Sequence, residues 1–279
     1  NCSNCYIPNR DVSDMNIDRL INTIRRFPKR TMIRIMGAEP TMRNDLTDII
    51  VKIRKAGHRC TLLTNGLKLA SIRYTQSLKE AKLSHVYLSL NGVDNDDWYE
   101  SIDELRCAKV KVMALENIQK TRFIVDTGTI LCKGVNEDAP ARLLHLFKQK
   151  NIEHAMIRFK NVGQHGRYLL ESIDNWSMDD MIQMCAEQYG LSVDYINSWK
   201  DKPIYGAHVE DDTFMFPLNP ESTGKMLHRS GIWVKIADWD SHMGTRPYPF
   251  MDQTRRGRIT EDFKVAPLPA HIVANEGGY

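Results

Sequence analysis

Between residues 13 and 160 two kinds of apolar pattern take turns along the chain. One recurs at three- and four-residue spacing, the mark of an amphipathic helix. The other is a short run rich in β-branched and apolar residues, the mark of a buried strand. The connections between them are short. Strands linked by helices in this way run parallel with right-handed crossovers, since each helix carries the chain back to the same end of the sheet. The first half of the chain is therefore constrained to an α/β architecture.

The elements can be placed in order. Ser13 is positioned to cap a helix whose inward residues are Ile17, Leu20, Ile21 and Ile24, and Pro28 ends it. Thr31 to Met36 reads as a strand. Asn44 or Asp45 opens a helix with Leu46, Ile49, Ile50 and Ile53 inward and Gly57 just past its end. Arg59 to Thr64 and His85 to Leu90 are strands, closed by Asn65-Gly66 and Asn91-Gly92, with a helix from Ile72 to Lys82 between them. One or two helices over Asp96 to Gln119, a strand over Phe123 to Leu131, a helix over Asp138 to Lys150 and a strand over Met156 to Phe159 complete this part. A further strand is expected upstream of Asn1. After about Gly166 the pattern changes. A helix is expected over Met178 to Gln188, and strands over Val193 to Ile196, Thr213 to Phe216 and Ile232 to Ala237. Residues 238–279 read as an irregular tail anchored by Trp239, Tyr248, Phe250, Phe263 and Leu268.

Bulk properties narrow the function classes. The chain has 279 residues, and a net charge of +3 gives no ground for a nucleic-acid partner. No apolar run approaches the ~20 residues of a membrane helix, so no membrane partner is expected. Six cysteines are too few for a disulfide scaffold at this length. Cys60, Cys107, Cys132 and Cys185 stand singly and read as buried, reduced thiols, which fits a cytoplasmic protein.

Chemistry-bearing residues gather just past the C-terminal ends of successive strands, the face on which parallel α/β barrels build their sites. Cys2 and Cys5 have ligand spacing and are followed by Tyr6. Alone, such a pair suits zinc, redox or iron-sulfur chemistry. Neither a second such pair nor a close histidine pair completes a zinc set, and Pro8 follows where a redox pair would open a helix. Met36-Gly37-Ala38-Glu39-Pro40-Thr41 follows a strand. Gly37 permits close backbone approach, and Pro40 disfavours helical geometry at Glu39, presenting a carboxylate suited to an ammonium group. The same residues would also serve as a plain strand-to-helix turn.

Taken in order, these segments resemble the radical S-adenosylmethionine (radical SAM) superfamily. Cys2 and Cys5 match the second and third cysteines of its Cys-x3-Cys-x2-Cys loop, whose first would lie three residues before Asn1. Gly37-Ala38-Glu39-Pro40 resembles its Gly-Gly-Glu-Pro motif, with Ala38 in place of the second glycine. Thr64-Asn65-Gly66 is common in the family, Ser89-Leu90-Asn91-Gly92 resembles its Ser-Leu-Asp-Gly, and residues 131–137 resemble its fifth-strand segment.

The resemblance implies a partial (β/α)6 TIM-like barrel over residues 1–165. An α+β C-terminal extension over 166–279 would close the barrel and shape the substrate site. It implies a 4Fe-4S cluster, held as metal ligands by Cys2 and Cys5 with the upstream cysteine, and SAM on the open iron. Reductive cleavage of SAM would give a 5′-deoxyadenosyl radical that abstracts a hydrogen, making the chain a metal-binding oxidoreductase supplied by a one-electron reductant such as a flavodoxin or ferredoxin. Gly37, Ala38, Glu39, Thr64, Asn65, Ser89, Asn91 and Arg158 are the implied cofactor-binding residues. Glu39 would lie near the SAM ammonium, Ser89 and Asn91 near the ribose from one side of a strand, and Arg158 near the carboxylate. With only Cys185 beyond residue 132, no auxiliary cluster is expected.

Residues 164–167 follow the last barrel strand and are candidates to touch SAM or substrate. The run Arg255-Arg256-Gly257-Arg258 suits either a phosphate reader or a solvated salt-bridged loop. Trp233, Trp239 and Tyr248 read as packing anchors. The expected substrate is a polar metabolite such as a nucleoside, sugar or phosphorylated compound. A peptide or protein substrate is the alternative, and a non-catalytic or zinc-binding α/β protein the reading from another class.

Overall fold

A computed structural model describes residues 13–161, 175–200, 202, 213–219, 231–238, 258–259 and 262–266. Seven strands form one open sheet in the order β1-β2-β3-β4-β5-β7-β6. These are β1 Met32–Ile35, β2 Arg59–Thr64, β3 His85–Ser89, β4 Val125–Ile130, β5 Ala155–Lys160, β6 Thr213–Pro217 and β7 Ile232–Ala237. β1 to β5 are parallel in chain order, β7 joins β5 in parallel, and β6 is antiparallel on the edge. Residues 258–259 (β8) and 265–266 (β9) form a separate short antiparallel pair. The sheet of the first 160 residues thus continues into two strands of the C-terminal part.

The crossovers carry the helices α1 Ile17–Ile24, α2 Leu46–Lys55, α3 Ile72–Glu80, α4 Asp96–Asp103, α5 Ala108–Lys120, α6 Ala139–Gln149, α7 Met178–Tyr189 and α8 Val193–Asn197. The helix interfaces follow the sequence pattern: Leu46, Ile49, Ile50 and Ile53 of α2 are all buried. No helix among the described residues is long and apolar enough to cross a membrane.

Some boundaries differ from the sequence reading for local reasons. The cap of α1 is Asn16, whose side chain accepts from Arg19 N, and Ser13 lies outside the helix. Asp45 precedes α2 as expected, but its carboxylate takes Nε and Nη2 of Arg43 rather than capping the helix. Val193 to Ile196 is helical, not a strand. Ser192 caps it by accepting from Tyr195 N, Ile196 is buried, and the Tyr195 hydroxyl donates to Pro217 O, so a cap and packing override the β-propensity of the segment. Asp96 to Gln119 resolves into two helices, with Glu104 in the left-handed region closing the first.

The two faces of the sheet differ in chemistry. Alternation sends every second side chain to the helix layer. On that side Leu62, Val86, Leu88, Val125, Ile157, Phe159, Val234 and Ile236 are at most 4% exposed and belong to one apolar core. The opposite, inner face carries Arg34, Thr61, His85, Tyr87, Asp126, Arg158, Lys160 and Lys235. An apolar patch of Met156, Met215 and Trp233 lies on that face, packed against Trp199. Trp233 is an anchor, as the sequence suggests, meeting the Trp199 ring edge-on at 5.5 Å.

Candidate active site

The C-terminal ends of β1 and β2 are joined through one carboxylate. Glu39 has extended backbone (φ −147°, ψ 104°) ahead of Pro40, which opens a single 3-10 turn. Its Oε1 accepts from Thr41 N at 3.0 Å, Thr41 Oγ1 at 2.7 Å and Thr64 Oγ1 at 2.7 Å, and its Oε2 accepts from Asn65 N at 2.7 Å. Thr64 Oγ1 in turn accepts from Gly66 N, and Asn65 Oδ1 accepts from Leu67 N, fixing the turn after β2. Gly66 sits at φ 77°, and a Cβ there would lie 2.1 Å from Leu88 Cδ1. Gly37 is the opposite case: no described atom lies within 4 Å of where its Cβ would be. Ala38 beside it is exposed. Five residues marked from sequence, Gly37, Ala38, Glu39, Thr64 and Asn65, thus share one rim.

A second group lies on the inner face. Register places Ser89, Gly128, Arg158 and Lys235 in one row across β3, β4, β5 and β7. Gly128 is required there, because a Cβ would overlap the Tyr87 hydroxyl. The Arg158 guanidinium lies 5.7 Å, and Lys160 Nζ 5.9 Å, from the centre of the Tyr87 ring. Ser89 and Arg158 therefore share one row of the inner face.

Asn91 is placed differently. β3 ends at Ser89, so the same-side rule for alternate strand residues does not extend to Asn91. The Asn91 side chain is buried, donating to Asp103 Oδ1 and accepting from Ile130 N, while its carbonyl accepts from Asn136 Nδ2. It ties the ends of β3 and β4 to the loops above them.

Sequence reading missed Asp126, which organises the inner face. Its Oδ1 accepts from Arg158 Nε and its Oδ2 from Arg158 Nη2, both at 2.7 Å, and His85 Nε2 lies 2.8 Å from Oδ2. The Asp126 side chain is 2% exposed. Burial works to raise its pKa, but the charge of Arg158 and the hydrogen bonds from His85 and Arg158 outweigh that and hold the carboxyl well below the usual range. An ionised Oδ2 makes Nε2 the protonated nitrogen of His85.

Two lysines were missed as well. Burial, then the positive charges of Arg158, Lys235 and Arg34, push Lys160 down to about 8 despite Asp126. Burial, Arg158 and Arg34 do the same to Lys235, also to about 8. The signal was present in β5, where Met156, Arg158 and Lys160 alternate with the apolar Ile157 and Phe159.

The cysteine loop, residues 164–167 and Arg255 to Gly257 lie outside the described residues, and Arg258 enters only through the backbone of β8. Cys60, Cys107, Cys132 and Cys185 are buried and form no disulfide, as their isolation in the sequence suggests.

Comparisons with known proteins agree with the geometry. The family model described as Radical SAM superfamily matches residues 1–147. A 7,8-dihydro-6-hydroxymethylpterin dimethyltransferase of Methanocaldococcus jannaschii is 30% identical over 266 residues, covering 92% of this chain and 47% of its own length. A GTP 3′,8-cyclase of Staphylococcus aureus is 32% identical over 164 residues, covering 57% and 46%. The chain spans about half the length of the curated relatives it matches. Among solved structures, Streptococcus suis SuiB bound to precursor peptide SuiA superposes with a TM-score of 0.55 at 16% identity, covering 71% of this chain and 43% of that one. anSMEcpe with bound AdoMet and Kp18Cys peptide gives 0.52 at 16% identity, covering 72% and 56%. Both share the partial TIM-like fold.

Proposed function

The chain belongs to the radical SAM superfamily, whose cofactors are a 4Fe-4S cluster and SAM, and from that premise we propose that it abstracts a hydrogen from a polar metabolite held against the inner face of the sheet. When bound, the cluster supplies one electron to SAM, and cleavage yields the 5′-deoxyadenosyl radical that takes the hydrogen. Cys2 and Cys5 are thiolate donors of the type that cluster needs. The observation that carries the reading is the rim: among the described residues nothing lies within 4 Å of where a Gly37 side chain would start, beside a carboxylate fixed by four donors.

In this reading Gly37 and Ala38 offer backbone to SAM. Glu39 faces its ammonium across a turn held rigid by Thr41, Thr64 and Asn65. Ser89 and the Arg158 edge away from Asp126 serve its ribose and carboxylate, and Asn91 acts by holding the strand ends that present them. Residues 1–165 form the core and 166–279 an extension that shapes the substrate site. A flavodoxin or ferredoxin is the proposed electron donor. A cytoplasmic location is supported by four buried cysteines that form no disulfide.

Anaerobic reconstitution with iron and sulfide tests the proposal. The expected result is the broad visible absorption of a 4Fe-4S cluster and formation of 5′-deoxyadenosine from SAM on reduction, both lost in Cys2→Ala and Cys5→Ala. Absence of both in the parent protein, or uptake of zinc in their place, overturns the reading.

A further inference from the structure

A basic cluster lies at the N-terminal ends of β1 and β2, the opposite end of those strands from the Glu39 rim. No Asp or Glu occurs from Arg19 to Ala38 or from Ile49 to Lys79, and both stretches are rich in arginine and lysine. The fold ties the loops entering β1 and β2 side by side: Arg30 N donates to Gly57 O, Arg59 N to Thr31 O, and Lys29 Nζ to Ala56 O. An open cavity of about 280 Å³ is lined there by Arg30, Arg54, Gly57, His58 and Arg59. Gly57 has φ 93°, and a Cβ on it would lie 2.9 Å from Lys29 Cδ, so the lysine stem runs across it.

Helix ends account for part of this cluster. Arg54 sits in the last turn of α2, where a cation offsets the helix dipole, and its Nη1 donates to His58 O at 2.9 Å. Arg30 and Arg59 have no such duty. Both are exposed, and neither side chain forms a hydrogen bond or ion pair among the described residues. His58 supplies an independent observation. It is 1% exposed in the cavity wall, its Nε2 donates to Ile24 O at 2.7 Å, and its Nδ1 is buried with no hydrogen-bond partner. An orphaned buried polar atom is the kind of group a bound ligand, ion or water completes. Arginine forks match the oxygens of a phosphate in bidentate fashion. A single carboxylate would neutralise one of the three guanidinium charges, whereas a phosphate or diphosphate brings two or three.

We propose that Arg30, Arg54 and Arg59, around the buried His58, form an accessory site for the phosphate or diphosphate group of a small ligand. β2 runs from Arg59 to Thr64, so at about 3.3 Å per residue the site stands about 16 Å from the rim. Its ligand is therefore distinct from SAM and from the molecule that loses a hydrogen, and the site does not depend on the radical chemistry.

The test is calorimetric titration of the anaerobically reconstituted full chain with inorganic phosphate and, separately, inorganic pyrophosphate, repeated with SAM at saturation. Saturable binding of at least one anion is expected, with the same affinity when SAM is present. Arg30→Gln and Arg59→Gln should each weaken it about tenfold, the loss of one charge-assisted contact. Arg73→Gln, at an exposed position on α3, should leave it unchanged. Thermal melting of each variant verifies the fold, and pyrophosphate should raise the melting temperature of the parent more than that of Arg59→Gln. No saturable binding of either anion overturns the site. So do affinities unchanged in both Arg30→Gln and Arg59→Gln, or an equal loss in Arg73→Gln, which would show a response to net charge alone. Binding abolished by SAM would place the anion at the rim, and tighter binding of a hexaglutamate peptide than of pyrophosphate would replace phosphate by carboxylates; either result sinks the proposal.

Discussion

Glu39 Oε2 accepts the backbone N–H of Asn65 at 2.7 Å, a bond across 26 residues of chain that joins the turns following β1 and β2. The other oxygen of the same carboxylate collects Thr41 and Thr64. A residue read from sequence as a ligand for a cofactor is therefore also a bracket between β1 and β2. The backbone proposed to meet the cofactor and the carboxylate that ties the turns after β1 and β2 together belong to one segment, Gly37 to Thr41.

Glu39→Gln should expose this double role. The amide keeps the size of the side chain but sets an NH2 group against either Asn65 N–H or the three donors on Oε1. A lost charge-assisted hydrogen bond with an unsatisfied donor costs about 2 kcal/mol. Urea unfolding of the protein without cluster or SAM should show that loss. Unchanged stability would mean that Glu39 serves the ligand alone.

The residues legible in the sequence were those whose partners are local or whose period is regular. The alternation of helix and strand gave the parallel sheet, and β7 was placed at its observed limits, Ile232–Ala237. Gly37 to Thr41 and Thr64 to Gly66 stood out because turns need particular residues. What stayed hidden was set by register between distant strands. Nothing near Asp126 in the chain announces Arg158, 32 residues on, and the Arg158–Lys235 neighbourhood exists only because β7 docks on β5. Segment 193–197 was misread because a serine cap and the buried Ile196 outweigh the β-branched residues within it.

Gly66→Ala should destabilise the protein by about 3 kcal/mol. The backbone at φ 77° disfavours a side chain, and the added methyl would overlap Leu88 Cδ1. Leu88→Ala removes the obstacle at the cost of a cavity, so the two changes should couple favourably by more than about 1 kcal/mol. A denaturation double-mutant cycle measures this. Additive losses would show that the strain lies in the backbone alone.

The buried thiols should be inert in the native state. Burial pushes Cys60 and Cys132 up to about 12 and raises Cys185 as well, so little thiolate exists at pH 8. Iodoacetamide should leave these three unmodified in folded protein and label them after unfolding in urea, as read by mass spectrometry of peptides. Prompt native labelling of Cys60 or Cys132 would contradict their burial.

Asp126→Asn tests the pivot of the inner face. The amide cannot hold Arg158 by charge, and breaking a buried ion pair by removing one partner costs about 3 kcal/mol. It also takes away the negative charge that offsets the repulsion on Lys160 and Lys235. The pH dependence has a definite sign. The folded Asp126 carboxyl titrates below its unfolded value of about 4, so its contribution is fully present above that value and is lost as pH falls toward the folded one. The stability difference between parent and Asp126→Asn should therefore stay level from about pH 7 to pH 5 and shrink below about pH 4. Urea unfolding at pH 7, 5 and 3.5 gives the comparison. A difference of the same size at all three would show that the Asp126 ion pair is not what the variant removes.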